Sequence, residues 1–133
     1  MSRFIVISTS TELVRIATER IVCISSDGNY STLLQTDGMS RTLTYQLGQL
    51  EDMIGDQLGK RDNTFIRVGK SVIINRSYIH YINIPKQRLV LSDLANFNHT
   101  VSASKDALKN LKDTGTAMTI MFIRAKSREK MER

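Results

Sequence analysis

Phe65-Ile-Arg-Val-Gly-Lys-Ser-Val-Ile-Ile-Asn-Arg-Ser-Tyr-Ile79 holds two runs of strand spacing separated by a glycine-led break. Thr64 to Val68 and Ser71 to Asn75 are rich in β-branched and aromatic residues, and Tyr78 to Ile84 continues with a third run of the same kind. Gly69 and Lys70 fall between the first two, which makes Lys70 a protruding cation on a loop held by strands. The glycine lets the backbone approach a surface closely, and the Ser71 hydroxyl can donate to a phosphate. Asn75 can cap the turn made by Arg76 and Ser77.

Upstream of this stretch, Asp56 to Asn63 is a polar loop holding Lys60 and Arg61. Before it, Leu47, Leu50 and Ile54 recur at intervals of three and four, which predicts a helix over Tyr45 to Ile54 with Thr44 as its N-cap and Gly55 as its stop. Further back, period-2 spacing predicts strands at Phe4 to Ser8, Leu13 to Ile16, Arg20 to Ser25, Tyr30 to Thr36 and Met39 to Thr44. Asp27-Gly28-Asn29 and Asp37-Gly38 join the last three as a β-meander. Downstream, Pro85-Lys-Gln87 turns the chain into Arg88 to Ser92, and Phe97 to Ser102 is one more short strand. Ser104 caps a helix with Ala107, Leu108 and Leu111 inward and Lys105, Lys109 and Lys112 outward. The expected architecture is one mostly-β domain over residues 1–113, with two short helices. Residues 114–133 form an extension in which Ala117 to Ile123 reads as a final strand and Arg124 to Arg133 as a charged tail.

The chain of 133 residues carries a formal charge of +6, unevenly distributed. Residues 1–56 hold four basic and seven acidic residues, 57–105 hold eight basic and two acidic, and 106–133 hold seven basic and four acidic. A mildly acidic opening followed by a basic remainder points to a polyanionic partner, nucleic acid or an anionic membrane surface. The single Cys23 excludes an intramolecular disulfide and favours a reducing compartment, the cytoplasm. No apolar run reaches the roughly 20 residues of a membrane span or an export-signal core, so no membrane insertion is expected.

Catalytic constellations are missing. Cys23 lies between Val22 and Ile24 and reads as a small core residue. His80 and His99 fall in different strands without partners at metal-ligand spacing, so neither a metal nor another cofactor is expected. Gly69-Lys70-Ser71 mimics the end of a phosphate-binding loop, but position 64, where that loop needs a glycine, is Thr. The acidic Leu47 to Ile54 face is too short for an interfacial helix and reads as a lid on a sheet.

The 65–79 stretch resembles the signature of the LytTR DNA-binding domains, the output modules of many bacterial response regulators. An aromatic and an arginine lead into a basic-Ser step, then an apolar run ending in Asn and a following Ile. Ile21 to Tyr30 resembles the family's first hairpin, Leu43 to Ile54 its helix, and Arg88 to Leu91 with Ser104-Lys105 its closing strands and helix, over residues 3–113 in order. The resemblance implies an elongated fold of small antiparallel sheets that contacts the major groove of double-stranded DNA through inter-strand loops, with domains side by side on repeated sites or as a homodimer. It carries over Asn29, Tyr30 and Ser31, then Gly69, Lys70 and Ser71, then Ser104 and Lys105 as DNA-facing positions. Arg67, Arg76 and Lys109 are neighbouring candidates for phosphate contact. Phe65, Ile73, Ile79, Ile82, Leu89 and Leu91 read as core.

Departures from the family pattern are informative. Lys70 and Lys105 stand where arginine is common, and lysine binds phosphate as a point charge without the fork that reads guanine. Asp106 stands where a basic residue is frequent. No receiver domain precedes the module in this sequence, so control is expected from a separate regulatory protein, from expression level or from self-association. The leading expectation is a sequence-specific transcriptional regulator with no enzymatic activity. The alternative is a protein-interaction module on a LytTR-like scaffold with weak or no DNA binding.

Overall fold

Val72–Asn75 is buried along its whole length, because it is an inner strand with a hydrophobic layer on each face. The computed structural model describes residues 3–114. In chain order the strands are β1 (Phe4–Ser8), β2 (Leu13–Ala17), β3 (Ile21–Asp27), β4 (Tyr30–Gln35), β5 (Ser40–Leu43), β6 (Phe65–Val68), β7 (Val72–Asn75), β8 (Ile79–Asn83), β9 (Arg88–Ser92) and β10 (Asn98–Ser102). Helix α1 (Leu47–Leu58) links β5 to β6, and helix α2 spans 105–114. All pairings are antiparallel: a two-stranded sheet β1-β2, a five-stranded sheet β5-β4-β3-β7-β6 and a three-stranded sheet β10-β9-β8. The expected mostly-β architecture of small antiparallel sheets with two helices is the observed one. The segment 117–123, expected as a final strand, lies outside the described residues.

The five-stranded sheet is the middle layer. On one face Ile24, Leu33 and Ile73 pack against Ile5, Ile7 and Ile16 of the first hairpin and Leu47, Leu50 and Ile54 of α1. On the other face Val72 and Ile74 pack against Leu89 and Leu91 of the three-stranded sheet and Leu108 and Leu111 of α2. Strand alternation alone sends Ile73 one way and its two neighbours the other. In β3 the register shifts between Ile21, which faces Gln35, and Cys23, which faces Leu34. The bulge presents Val22 and Cys23 together to the second core. Of the residues read as core, Ile73, Leu89 and Leu91 are fully buried, while Phe65, Ile79 and Ile82 flank the two clusters half-buried.

Helix α1 departs from its expected bounds at both ends. Its N-cap is Gln46, not Thr44: the Gln46 side chain accepts the Gln49 backbone N–H, and Gln49 Oε1 accepts the Gln46 N–H at 2.8 Å. Gly55 lies inside the helix, which stops at Gly59, where φ is 101°. The extra turn is held by Gln57, whose amide takes the Val6 N–H and donates to the Val6 carbonyl, both at 2.8 Å. That contact lies 51 residues away in sequence and outweighs a glycine's local preference to end a helix.

Asn75 ties the layers together at the end of β7. It is buried, its Nδ2 donates to the carbonyls of Thr18 (3.2 Å) and Ile21 (3.0 Å), and its Oδ1 accepts the Ser77 N–H at 3.0 Å. The side chain therefore caps the 3-10 turn Arg76–Tyr78 as expected and also fixes the entry of β3. Beyond β9, Asp93 organises the connection to β10: its Oδ1 accepts N–H groups from Ala95, Asn96 and Phe97, and these bonds hold its carboxyl down at about 2.

Asn75→Ala removes the amide partners of the Ile21 carbonyl and the Ser77 N–H and one of the two donors to the Thr18 carbonyl, so it should lower stability by about 2 kcal/mol. Urea unfolding should show this as an earlier midpoint with an unchanged slope. Burial pushes the Cys23 thiol up to about 11 against an ordinary value of 9.0. The folded chain then keeps a proton that the unfolded chain releases, so stability falls as pH rises from about 9 to about 11. The stability difference between the wild type and Cys23→Ala should shrink across that window and stay constant below it.

Candidate nucleic-acid interface

The hairpin tips of β3-β4 and β6-β7 emerge at the same end of the middle sheet, because β3 pairs with β7 up to Ser25 and Val72 and the Ser26 N–H continues to the Ser71 carbonyl at 2.8 Å. The first tip is the two-residue turn Gly28-Asn29. Gly28 takes the left-handed conformation with φ 64°, so Asn29 has no need of it and is exposed with its side chain available. The second tip, 69–71, is led by Gly69 with φ 63°. A Cβ on Gly69 would lie 3.5 Å from the Ala107 Cβ, which places this turn against the start of α2.

The third segment is the entry to α2. Ser104 is its N-cap: Ser104 Oγ accepts the Ala107 N–H at 3.2 Å, and its carbonyl accepts the Leu108 N–H at 3.0 Å. Leu108 and Leu111 turn inward, leaving Lys105, Lys109 and Lys112 exposed at helical spacing, as the sequence predicts. Gly69, Lys70, Ser71, Ser104 and Lys105 thus share one exposed surface, with Lys109 one helical turn further along. Asp27 and Asp106 are exposed at the same junctions.

Three of the sequence-derived candidates have other duties. Ser31 has no exposure, and its hydroxyl donates to the Tyr45 carbonyl at 2.8 Å, so it anchors the chain entering α1 and has no face for a ligand. Arg67 donates from Nη2 to the Lys70 carbonyl (3.1 Å) and from Nη1 to Glu51 of α1 (3.2 Å). It therefore shapes the turn that carries Lys70. Arg76 donates to the Asn63 carbonyl at 3.1 Å and sits at the opposite end of β7, about 13 Å from the tip at strand rise, where burial lowers its pKa. Tyr30 is half-exposed beside the first tip and remains available. The part played by Glu51 was hidden in the sequence, since nothing local links an exposed helix carboxylate to a turn 16 or more residues later.

The Gly69-Lys70-Ser71 run opens no helix and forms a hairpin turn, which separates it from a nucleotide-binding loop. Among the described residues, no cluster of His, Cys, Asp and Glu could hold a metal ion, and no helix is long and apolar enough to cross a membrane.

Residues 11–115 match the family model of the LytTr DNA-binding domain. The chain is a member of the LytTR family. Its fold is also similar to the LytTr DNA-binding domain of a Bacillus cereus protein described as a methyl-accepting/DNA response regulator, with a TM-score of 0.56 and 15% identity over 83% of this chain and 94% of that one. No curated protein sequence matches significantly. The LytTR assignment makes this a DNA-binding domain, and the 69–71 turn and the start of α2 bring exposed Lys70 and Lys105 together at one end of the middle sheet.

Arg67→Lys keeps a charge for Glu51 but loses the fork that also reaches the Lys70 carbonyl. Amide exchange at Lys70 and Ser71 should quicken while global stability falls by about 1 kcal/mol. Unchanged exchange at both amides would show that the turn holds its shape without Arg67.

Proposed function

We propose that this LytTR domain is a sequence-specific transcriptional regulator that enters the major groove of duplex DNA with its turns and the start of α2. Asn29 and Tyr30 approach from the first tip, Gly69, Lys70 and Ser71 from the second, and Ser104 and Lys105 from the helix entry, with Lys109 on the flanking phosphates. The observation that carries this reading is the convergence of three segments distant in sequence on one exposed edge bearing Lys70 and Lys105. Rigid strands hold the turns, so binding requires little loop ordering. Two protomers side by side suit repeated sites on successive grooves. Ser31, Arg67 and Arg76 are left out of the contact set, because each donates a side-chain hydrogen bond to a backbone carbonyl inside the domain.

The exposed carboxylates of Asp27 and Asp106 beside these lysines favour a second reading, in which the edge docks a protein of mixed charge. The two readings part on salt. A protomer pair neutralising half a dozen phosphates should lose affinity for duplex DNA with a log–log salt slope of about −5. Lys70→Ala and Lys105→Ala, each removing one cation from both protomers of the pair, should each weaken binding at least five- to tenfold and make the slope shallower by about 2, with stability unchanged within about 0.5 kcal/mol. Arg76→Ala should leave the slope as it is. A flat salt response in a fluorescence-anisotropy titration would rule for the protein-docking reading.

A further inference from the structure

Two turns meet the entry of α2. Gly69 lies against Ala107, and Gln87, in the turn joining β8 to β9, is bonded to Ala103, the residue before the Ser104 cap. The Gln87 carbonyl accepts the Ala103 N–H at 3.3 Å, and its Nε2 donates to the Ala103 carbonyl at 3.4 Å. The register agrees: Arg88 faces both Asn83 and Ser102, so the 84–87 turn and the entry of α2 leave the three-stranded sheet at the same end. That is the end where Ser104 shares a surface with Gly69, Lys70 and Ser71.

The turn is built to hold its shape. The Lys86 N–H donates to Asn83 Oδ1 and the Gln87 N–H to the Ile84 carbonyl, both at 3.0 Å. Pro85 fixes φ at the first corner. Gln87 has φ 55°, a left-handed conformation uncommon outside glycine, and its two bonds to Ala103 keep it there. Lys86 is exposed and joins neither of the ion pairs found among the described residues. The groups bonded to this turn come from Asn83, Ile84 and Ala103, none of them charged. Arg88, the next cation, projects from the outer face of the sheet, because its neighbour Leu89 is buried on the inner one.

We propose that the β8–β9 turn is a fourth DNA-contacting segment, with Lys86 as its phosphate ligand beside Lys105. The proposal rests on the DNA-binding reading of the neighbouring edge. An ordered backbone that carries an unpaired cation spends little entropy on meeting a polyanion. The span is suitable as well. A cross-strand neighbour lies about 5.5 Å away and each chain step adds about 3.8 Å, so the Cα atoms of Lys86 and Lys105 are at most about 17 Å apart. Two extended lysine side chains at that spacing reach the phosphates on the rims of a major groove about 12 Å wide. The latch at Ala103 also couples the turn to the α2 cap, so Lys86 moves with Ser104 and Lys105 as one unit.

Lysine acetylation of the full chain, read by mass spectrometry with and without a random-sequence duplex at low salt, tests this directly. With more than about four-fifths of the chain bound, labelling of Lys86 should slow at least about fivefold, together with Lys70 and Lys105. Lys60, in the loop that leads to Asn63 and Arg76 at the opposite end of β7, should keep its rate. Lys86→Ala should also weaken duplex binding at least about fivefold in an anisotropy titration, with an unchanged unfolding midpoint. Unslowed labelling of Lys86 while Lys70 and Lys105 are protected overturns the proposal and leaves the DNA-binding edge standing. Protection of Lys86 with no loss of affinity in Lys86→Ala overturns it too, since the lysine is then only shielded. Protection of Lys86 without Lys70 and Lys105, with the affinity loss, upholds the turn contact and overturns the edge as drawn. No protection at any of the three overturns both.

Discussion

The pairing of β3 with β7 is the interaction on which the rest of this domain depends. Cys23, Ile24 and Ser25 face Ile74, Ile73 and Val72, joining a meander from the first third of the chain to a hairpin some 50 residues later. Without it there would be two separate small sheets, each too narrow to bury two faces. With it, one five-stranded sheet has an inner strand covered on both sides, and the layers before and after it in sequence have a common surface to pack on. Asn75 reinforces the junction because its amide donates to the Ile21 carbonyl at the start of β3 and adds a second donor to the Thr18 carbonyl just before it.

The same pairing makes the proposed binding edge. Antiparallel neighbours put the end of one strand beside the start of the other, so the Gly28-Asn29 turn and the 69–71 turn must appear together once Ser25 faces Val72. The position of α2 is a packing consequence: Leu108 and Leu111 complete the second core, and burying them brings Ala107 against Gly69 and Ser104 beside the same turn. The geometry of the proposed edge is thus a by-product of core formation. Substitutions in the second core should therefore reach the edge through α2 without touching any exposed lysine.

Much of this was legible in the sequence, for identifiable reasons. Strands with clean alternation and glycine-led turns were found to within a residue or two, since their signals are local. The inward face of α2 was readable from the spacing of Ala107, Leu108 and Leu111. The bounds of α1 were not, because Gln46 caps through a reciprocal glutamine pair outside the usual Ser, Thr, Asp and Asn set, and Gln57 is held by a distant strand. For the edge, residue type pointed to polar and basic candidates but could not separate those facing out from those spent inside. Ser31 and Arg67 have the right chemistry for phosphate and are committed to backbone carbonyls instead. Only a fold reveals which donors are already used.

The inventory of free groups constrains how the proposed regulator could discriminate sequence. With Arg67 and Arg76 bonded inside the domain, the cations left on the edge and its flank among the described residues are lysines, point charges suited to phosphate and poor at the bidentate reading of guanine. Base selection then falls to Asn29, Tyr30, Ser71 and the backbone of the glycine turns, which donate and accept hydrogen bonds but carry no charge. Such a set contributes less discrimination per contact than arginine forks, so specificity would have to be accumulated over two protomers and through the shape of the site between them. Asp27 and Asp106 sharpen that requirement. A carboxylate at each junction penalises any docking that brings phosphate to the wrong side of Lys70 or Lys105, turning a diffuse basic surface into one with a preferred orientation.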